Sequence, residues 1–205
     1  MYALKGYAGA NFFRLEVKDL SKVSIKDAIV SASEILDLKE EVQAYFDGSD
    51  TSAKADVENL LRCFNLVESE LALEYLPLYA EETLESATGA VYFDELACAP
   101  VRIVRVQDEW GNSCPFKLYP NYLKTQAGKV TIRYTYLPQE KGLDGVSDFT
   151  LRVSKRLFAY GMATEYALSC GRFDEASVWE KKYKDAITSA YRAKPSTKIS
   201  ARRWV

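Results

Sequence analysis

A chain of 205 residues, 48% hydrophobic and 27% charged, is long enough to bury a core without disulfides or metals, and this composition excludes disorder of the whole chain. The net charge of −2 argues against wholesale wrapping of nucleic acid, which favours a strongly basic domain. There is no histidine, which removes the commonest general base, a common zinc ligand and the standard nucleophilic triads.

Residues 1–22 alternate weakly around Gly6 and Gly9 and read as an extended arm. Tyr2, Tyr7, Phe12, Phe13 and Leu15 give it apolar surface. Ser24-Ile25-Lys26-Asp27 resembles a capping box with Asp in place of Glu. Behind it Ile25, Ala28, Ile29, Ala32, Ile35 and Leu36 recur at helical spacing. A short helix follows through Val42, Tyr45 and Phe46, ended by the loop Asp47-Gly48-Ser49-Asp50. The spacing of Val57, Leu60, Leu61, Phe64, Val67, Leu71 and Tyr75 predicts the longest helix, capped by Thr51 or Ser52. Asp56, Glu58, Glu68 and Glu70 are expected mostly off its buried stripe. It should end near Leu76, because Pro77 disfavours the α region for the residue before it.

From 78 to 137 turn residues arrive every eight to twelve positions, with short β-rich runs between them. Val130, Ile132, Tyr134 and Tyr136 alternate with Thr131, Arg133 and Thr135, the period of a strand with one apolar face. Runs at 101–106 and 116–119 flank Asp108-Glu109-Trp110-Gly111-Asn112 and read as a hairpin with a longer loop. Four to five antiparallel strands are expected. Helices return at about 148, capped by Ser147 or Asp148, with Leu151, Leu157, Phe158, Tyr166 and Ala167 inward. Gly161 and Ala163 permit close helix approach, and Gly171 stands where a C′ glycine belongs. Asp174 offers a cap for a last helix with the stripe Ala176, Trp179, Tyr183, Ala186, Ile187 and Ala190, stopped by Pro195.

The class is therefore α+β: a helical bundle of about four helices with an inserted small antiparallel β domain and an extended C-terminal tail. The expected boundaries are an arm at 1–22, the bundle at 23–77 and 146–192, the β insertion at 78–145 and the basic tail at 193–205. From 192 to 205 there are five cations and no acid, so a net charge of −2 leaves the rest of the chain at −7. Such a tail either stays solvated or docks on an acidic surface.

Cys63, Cys98, Cys114 and Cys170 form no CxxC pair and are expected as free thiols in a reducing cytosol. No secretory h-region is read in residues 1–15, and no run approaches the ~18 apolar residues of a membrane span. No phosphate-binding glycine loop, dinucleotide fingerprint or nucleophile elbow occurs. Glu81, Glu82, Glu85, Asp94, Glu95, Asp108 and Glu109 cluster in the β region. A pair of them could act on a glycosidic bond, but the simpler reading is a solvated rim. Tyrosines and arginines at 102–105 and 133–136 could stack on bases, though Tyr134 and Tyr136 share the apolar face of a strand. Trp110, in the tip of a turn, marks a contact surface or folds back on its own sheet.

The order of a long helix, a small β domain and a helix pair resembles the head-to-tail connector, or adaptor, proteins of tailed bacteriophages. The residues that carry the likeness are Leu60-Leu61-Arg62-Cys63-Phe64-Asn65-Leu66-Val67-Glu68, Tyr75-Leu76-Pro77-Leu78, Pro100-Val101-Arg102-Ile103 and Tyr119-Pro120-Asn121-Tyr122-Leu123. Tyr134-Thr135-Tyr136-Leu137-Pro138 and Gly171-Arg172-Phe173, with Glu175, Ala176, Trp179 and Tyr183, complete it. It covers roughly residues 20–205.

The resemblance implies a structural virion protein without enzymatic activity, cofactor or metal, assembled into a ring of typically twelve copies beneath the capsid portal. Its partners would be its own copies, the portal protein and a tail or stopper protein below, with genomic DNA passing the lumen without specific binding and no membrane involved. Such a protein resides in the virion neck, and in the host cytoplasm during assembly. Lys198, Arg202, Arg203, Trp204 and Val205 are the candidates for portal binding. Trp110, Glu180 and Lys184 are the candidates for contact between subunits or with the tail. A stopper or tail-completion ring protein, a carboxylate-based glycan-acting enzyme and a nucleic-acid binder are the alternatives.

Overall fold

A computed structural model describes residues 22–149 and 153–192. The arm up to residue 21, Leu151 and the tail at 193–205 lie outside them, and with the tail the portal-binding candidates Lys198, Arg202, Arg203, Trp204 and Val205. The fold is mixed α and β. Among the described residues there are five α-helices and two small antiparallel sheets. The described residues divide into two compact units, one built from those up to Phe64 and from Leu143 onward, the other from Asn65–Gly142.

The first unit holds α1 (Ile25–Ile35), α2 (Lys39–Phe46), the first part of α3 (Lys54–Glu70), α4 (Lys155–Ser169) and α5 (Phe173–Arg192). The apolar stripe of α1 is buried at Ile25, Ala28, Ile29 and Ala32, and α1 packs against α4, which packs against α5. Phe64 stacks on Phe158 with ring centroids 4.8 Å apart, and Phe149 lies 6.4 Å from the same ring. Gly161 and Ala163 are both buried on α4. The turn between α4 and α5 is a Schellman motif. The Arg172 N–H donates to Ala167 and the Gly171 N–H to Leu168, with Gly171 at φ +72°.

Two helix starts depart from expectation, and the cap of α1 lacks its side-chain bond. Ser24 sits at the N-cap of α1, but its side chain makes no cap hydrogen bond. Instead Ser24 bridges Val146, the Ile25 N–H donates to Gly145, and the Ser147 N–H donates to Val23. That pairing ties 145–147 to the start of α1, and α4 begins at Lys155 rather than near 148, with Ser154 as its cap accepting from the Leu157 N–H. Ser147 is buried and accepts from the Phe149 N–H. The last helix starts one residue ahead of Asp174, which lies within its first turn, and runs for 20 residues; α3, 17 residues long, continues through Leu71–Tyr75, so the helical run from Lys54 is the longest among the described residues and stops at Leu76 as expected.

In the second unit α3 passes into a π-turn, Leu71–Tyr75, where the Leu76 N–H reaches back to Leu71. Six strands follow: β1 (Leu78–Ser86), β2 (Ala90–Tyr92), β3 (Pro100–Asp108), β4 (Lys117–Leu118), β5 (Tyr122–Lys124) and β6 (Gly128–Tyr136). They form two sheets, β1-β6-β3 and β2-β5-β4. The expected alternation of β6 holds, with Val130, Ile132 and Tyr134 buried against Val91, Leu96, Val106 and Leu123. The expected hairpin forms only next to its turn: the Asp108 N–H donates to Asn112, Gln107 bridges Ser113, and the Cys114 N–H donates to Val106. The next run leaves to build the second sheet as β4.

Candidate interaction site

Two surface features of the second unit stand out, and both are set by β3. The first is the turn that carries Trp110. Asp108 organises it: Oδ1 accepts from the backbone N–H of Trp110 at 3.0 Å and of Asn112 at 2.8 Å, and Oδ2 accepts from the Asn112 amide at 3.0 Å. The Gln107 amide donates to the Gly111 carbonyl at 2.6 Å, and Gly111 takes φ +84°, a conformation that favours glycine. The Asn112 amide, with the backbone donors of Asn112, Trp110 and Gly111, holds the Asp108 carboxyl below its usual range. The turn thus presents Trp110 at 77% exposure on a braced backbone, with exposed Glu109 beside it. Between folding back and projecting, Trp110 projects.

The second feature is a groove of about 350 Å³ at the opposite end of β3, lined by Leu73, Pro77, Tyr79, Val101, Val104 and Tyr136 with Arg102 among them. Its exposure has a structural cause. The register of β3 against β6 slips between Pro100 and Arg102 and again between Ile103 and Arg105. Each slip sets two residues of β3 against fewer on its partner and rotates the strand. Ile103 and Val106 are buried, three residues apart, while Val101 and Val104 turn outward at 48% and 46% exposure. The π-turn supplies Leu73, 55% exposed, to the same groove. Sequence reasoning missed this site. The signal was present in the apolar spacing of three at 101, 104 and at 103, 106, which no regular strand produces.

The outward face of the first sheet carries Arg102, Arg105 and Arg133 together with the acids Glu81 and Glu85. Arg105 pairs with Glu81 at 3.8 Å, and the Arg133 guanidinium lies 5.0 Å from the Tyr79 ring centroid.

On the first unit Glu180 and Lys184 meet each other at 2.5 Å, one helical turn apart on the exposed side of α5. Such a surface pair contributes about 0.3–0.5 kcal/mol. Trp179, on the same helix, stacks on Tyr160 with centroids 6.0 Å apart, and the Lys182 ammonium sits 4.2 Å from the Trp179 ring centroid.

The acids of the β region separate. Glu81 pairs with Arg105, Glu95 accepts from the Tyr92 N–H, and Asp108 serves its own turn. Glu82 is no rim residue: it lies on the inner face of β1 between Ala80 and Leu84, where it accepts the Tyr134 hydroxyl and the Ala97 N–H. Glu68 departs further from expectation. It is buried, and pairs with Lys141.

Burial pushes the Cys63 thiol up to about 12, and all four cysteines are free, with Cys170 exposed. Among the described residues no group of His, Cys, Asp or Glu could hold a metal ion, and no helix is long and apolar enough to cross a membrane. No protein-family model matches the chain, and a search of curated proteins gives no match either.

Proposed function

We propose that the chain is a subunit of a head-to-tail connector ring, a structural virion protein that joins a capsid portal to a tail. The observation that carries this reading is the division of the chain. Helical segments from both sides of the sequence share one unit, and the strands of Asn65–Gly142 make another. This division supports reading the chain as a helical bundle with an inserted small antiparallel β domain, the arrangement that the resemblance to connector proteins implies. A ring needs two different complementary faces on each copy, because its contacts are heterologous. The β unit offers a convex and a concave feature, and α5 offers a charged face. In this reading Lys198, Arg202, Arg203, Trp204 and Val205 dock on the portal, which orders the tail on binding. DNA passes an acidic to neutral lumen without specific contact.

Electron microscopy of the purified chain mixed with a portal tests the reading. The expected result is a ring of chains stacked coaxially on the portal. A chain that stays monomeric and ignores the portal overturns it. Deleting 193–205 should leave the melting curve unchanged and abolish portal binding; an unfolded truncation would place the tail in the core instead. Cross-linking to virion neighbours separates a connector from a stopper or tail-completion ring.

A further inference from the structure

The geometry points to the subunit contact itself: Trp110 of one copy inserts into the groove at the Pro100 end of β3 of the next copy. This rests on the ring reading above and names the surfaces that would close it. Four observations carry it.

First, the two features are complementary in shape. Trp110 is the most prominent apolar projection among the described residues at 77% exposure, and a braced turn holds it out. A backbone that is already braced has less freedom to lose on binding, which favours the aromatic it carries as an anchor. The groove, at about 350 Å³, falls at the small end of clefts that take an aromatic ligand, and its walls are Leu73, Pro77, Tyr79, Val101, Val104 and Tyr136.

Second, they are complementary in charge. Exposed Glu109 stands beside Trp110, while the groove carries exposed Arg102; Arg105, on the same sheet, is already paired with Glu81. Opposed rims of this kind fix register and exclude wrong partners.

Third, a copy cannot fill its own groove. Val101 and Asp108 stand seven strand residues apart, roughly 23 Å at the rise of a β-strand, and the turn is braced at the far end. The occupant must come from another molecule.

Fourth, knob and groove lie at opposite ends of one strand. A contact between different patches of identical chains is heterologous, and it propagates head to tail until the rotation closes a ring. The two bulges of β3 also block the simpler alternative. They disturb its open edge, and Pro100, Arg102 and Arg105 discourage edge-to-edge strand pairing there.

Analytical ultracentrifugation of the full chain tests the contact. Wild type should associate as its concentration rises. Trp110→Ala and Val104→Asp should each weaken association about 30-fold or more, the effect of removing a hot spot. Both side chains are exposed, so melting curves should not move; if Val104→Asp lowers the melting temperature, Val101→Asp on the same rim replaces it. The decisive sample is the mixture. Trp110→Ala retains only a groove and Val104→Asp only a knob, so together they should form one-to-one dimers and nothing larger. Association of Trp110→Ala at wild-type strength, or a mixture that stays monomeric, overturns the contact and leaves the ring reading standing. Wild type that stays monomeric at millimolar concentration also overturns it, and the ring reading falls with it only if the chain ignores a portal too.

Discussion

Lys141 places its ammonium 2.5 Å from Oε2 of Glu68, a carboxylate only 1% exposed. The segment that carries Lys141 is clamped to the same helix by Asn65, whose side chain donates to the Lys141 carbonyl at 3.1 Å and accepts from its N–H at 3.0 Å. A buried pair is a poor source of net stability, but removing one partner takes a balancing charge away from a desolvated group. Lys141→Met should therefore cost about 3 kcal/mol in urea unfolding. The double variant Glu68→Met/Lys141→Met should cost clearly less than the single. Equal losses would show that the charge is not what Lys141 neutralises.

The same pair shows what a sequence conceals. Helical and strand periods are local, so the stripe of α1, the alternation of β6 and the glycine after α4 could be read directly. Glu68 reads as an outward acid because its partner lies 73 residues away. Likewise nothing local announces that Ser24 will pair with Val146, and α4 starts only after Ser154. The bulges of β3 are also a tertiary outcome. Strict alternation would put Val101 and Ile103 on one face and Val104 and Val106 on the other, whereas packing selects Ile103 and Val106. Trp110 was legible as a contact candidate because turn chemistry is local, while its groove was not.

Acid should loosen the Trp110 turn. The Asp108 carboxyl is held below its usual range by hydrogen bonds to its charged form. A depressed folded pKa stabilises above the unfolded value and ceases to do so as pH falls through the folded one. The turn should hold from neutrality down through the ordinary carboxylate range, about pH 4, and loosen below it. Fluorescence anisotropy of Trp110, in a background of Trp179→Phe and Trp204→Phe, reads this directly. Asp108→Ala should show the loose state at neutral pH; an anisotropy that stays high in that variant would mean the turn is braced by something else.

Alkali should act on both units through two tyrosines. The Tyr134 hydroxyl donates to Glu82, and the Tyr166 hydroxyl donates to Asp56 at 2.6 Å. Burial, then the neighbouring carboxylate, raises each hydroxyl well above its ordinary value. A raised folded pKa contributes stability fully below the unfolded pKa, about 10, and loses it as pH climbs toward the folded one. Stability should begin to fall above about pH 8.5, because burial also raises the Cys63 thiol, and should fall more steeply beyond about pH 10 as the tyrosines enter. Tyr134→Phe should cost about 1–2 kcal/mol at neutral pH, because Glu82 keeps only the Ala97 donor, and should flatten part of the alkaline limb. Tyr166→Phe should flatten a further part, leaving the share that belongs to the buried Cys63 thiol. An alkaline limb unchanged in the double variant would assign it to other groups.

Two glycines with nearly the same backbone conformation should respond differently to alanine. Gly89 has φ +75° and Gly171 φ +72°, so each substitution forces a side chain into the left-handed region at about 1–2 kcal/mol. At Gly171 a Cβ would meet nothing within 4 Å, and that strain should be nearly the whole cost. At Gly89 it would lie 2.3 Å from the Thr125 carbonyl oxygen and 3.0 Å from the Gln126 carbonyl carbon, both backbone atoms. The contact cannot be relieved by a rotamer change. The Gly89 carbonyl also accepts from the Thr125 N–H at 2.8 Å, so moving one segment away from the other breaks the bond that joins them. That bond leads directly into the pairing of Ala90 with Lys124, and so into the second sheet. Gly89→Ala should therefore destabilise the β unit by about 1–3 kcal/mol more than Gly171→Ala destabilises the helical unit, an excess of the size seen when a packed core is overfilled. Amide hydrogen exchange should show the difference locally, with protection lost at 90–92 and 122–124 in Gly89→Ala and kept there in Gly171→Ala. Equal melting temperatures for the two variants would mean that the Thr125 segment yields without loss, and that the junction between β1 and β2 is not a fixed point of the β unit.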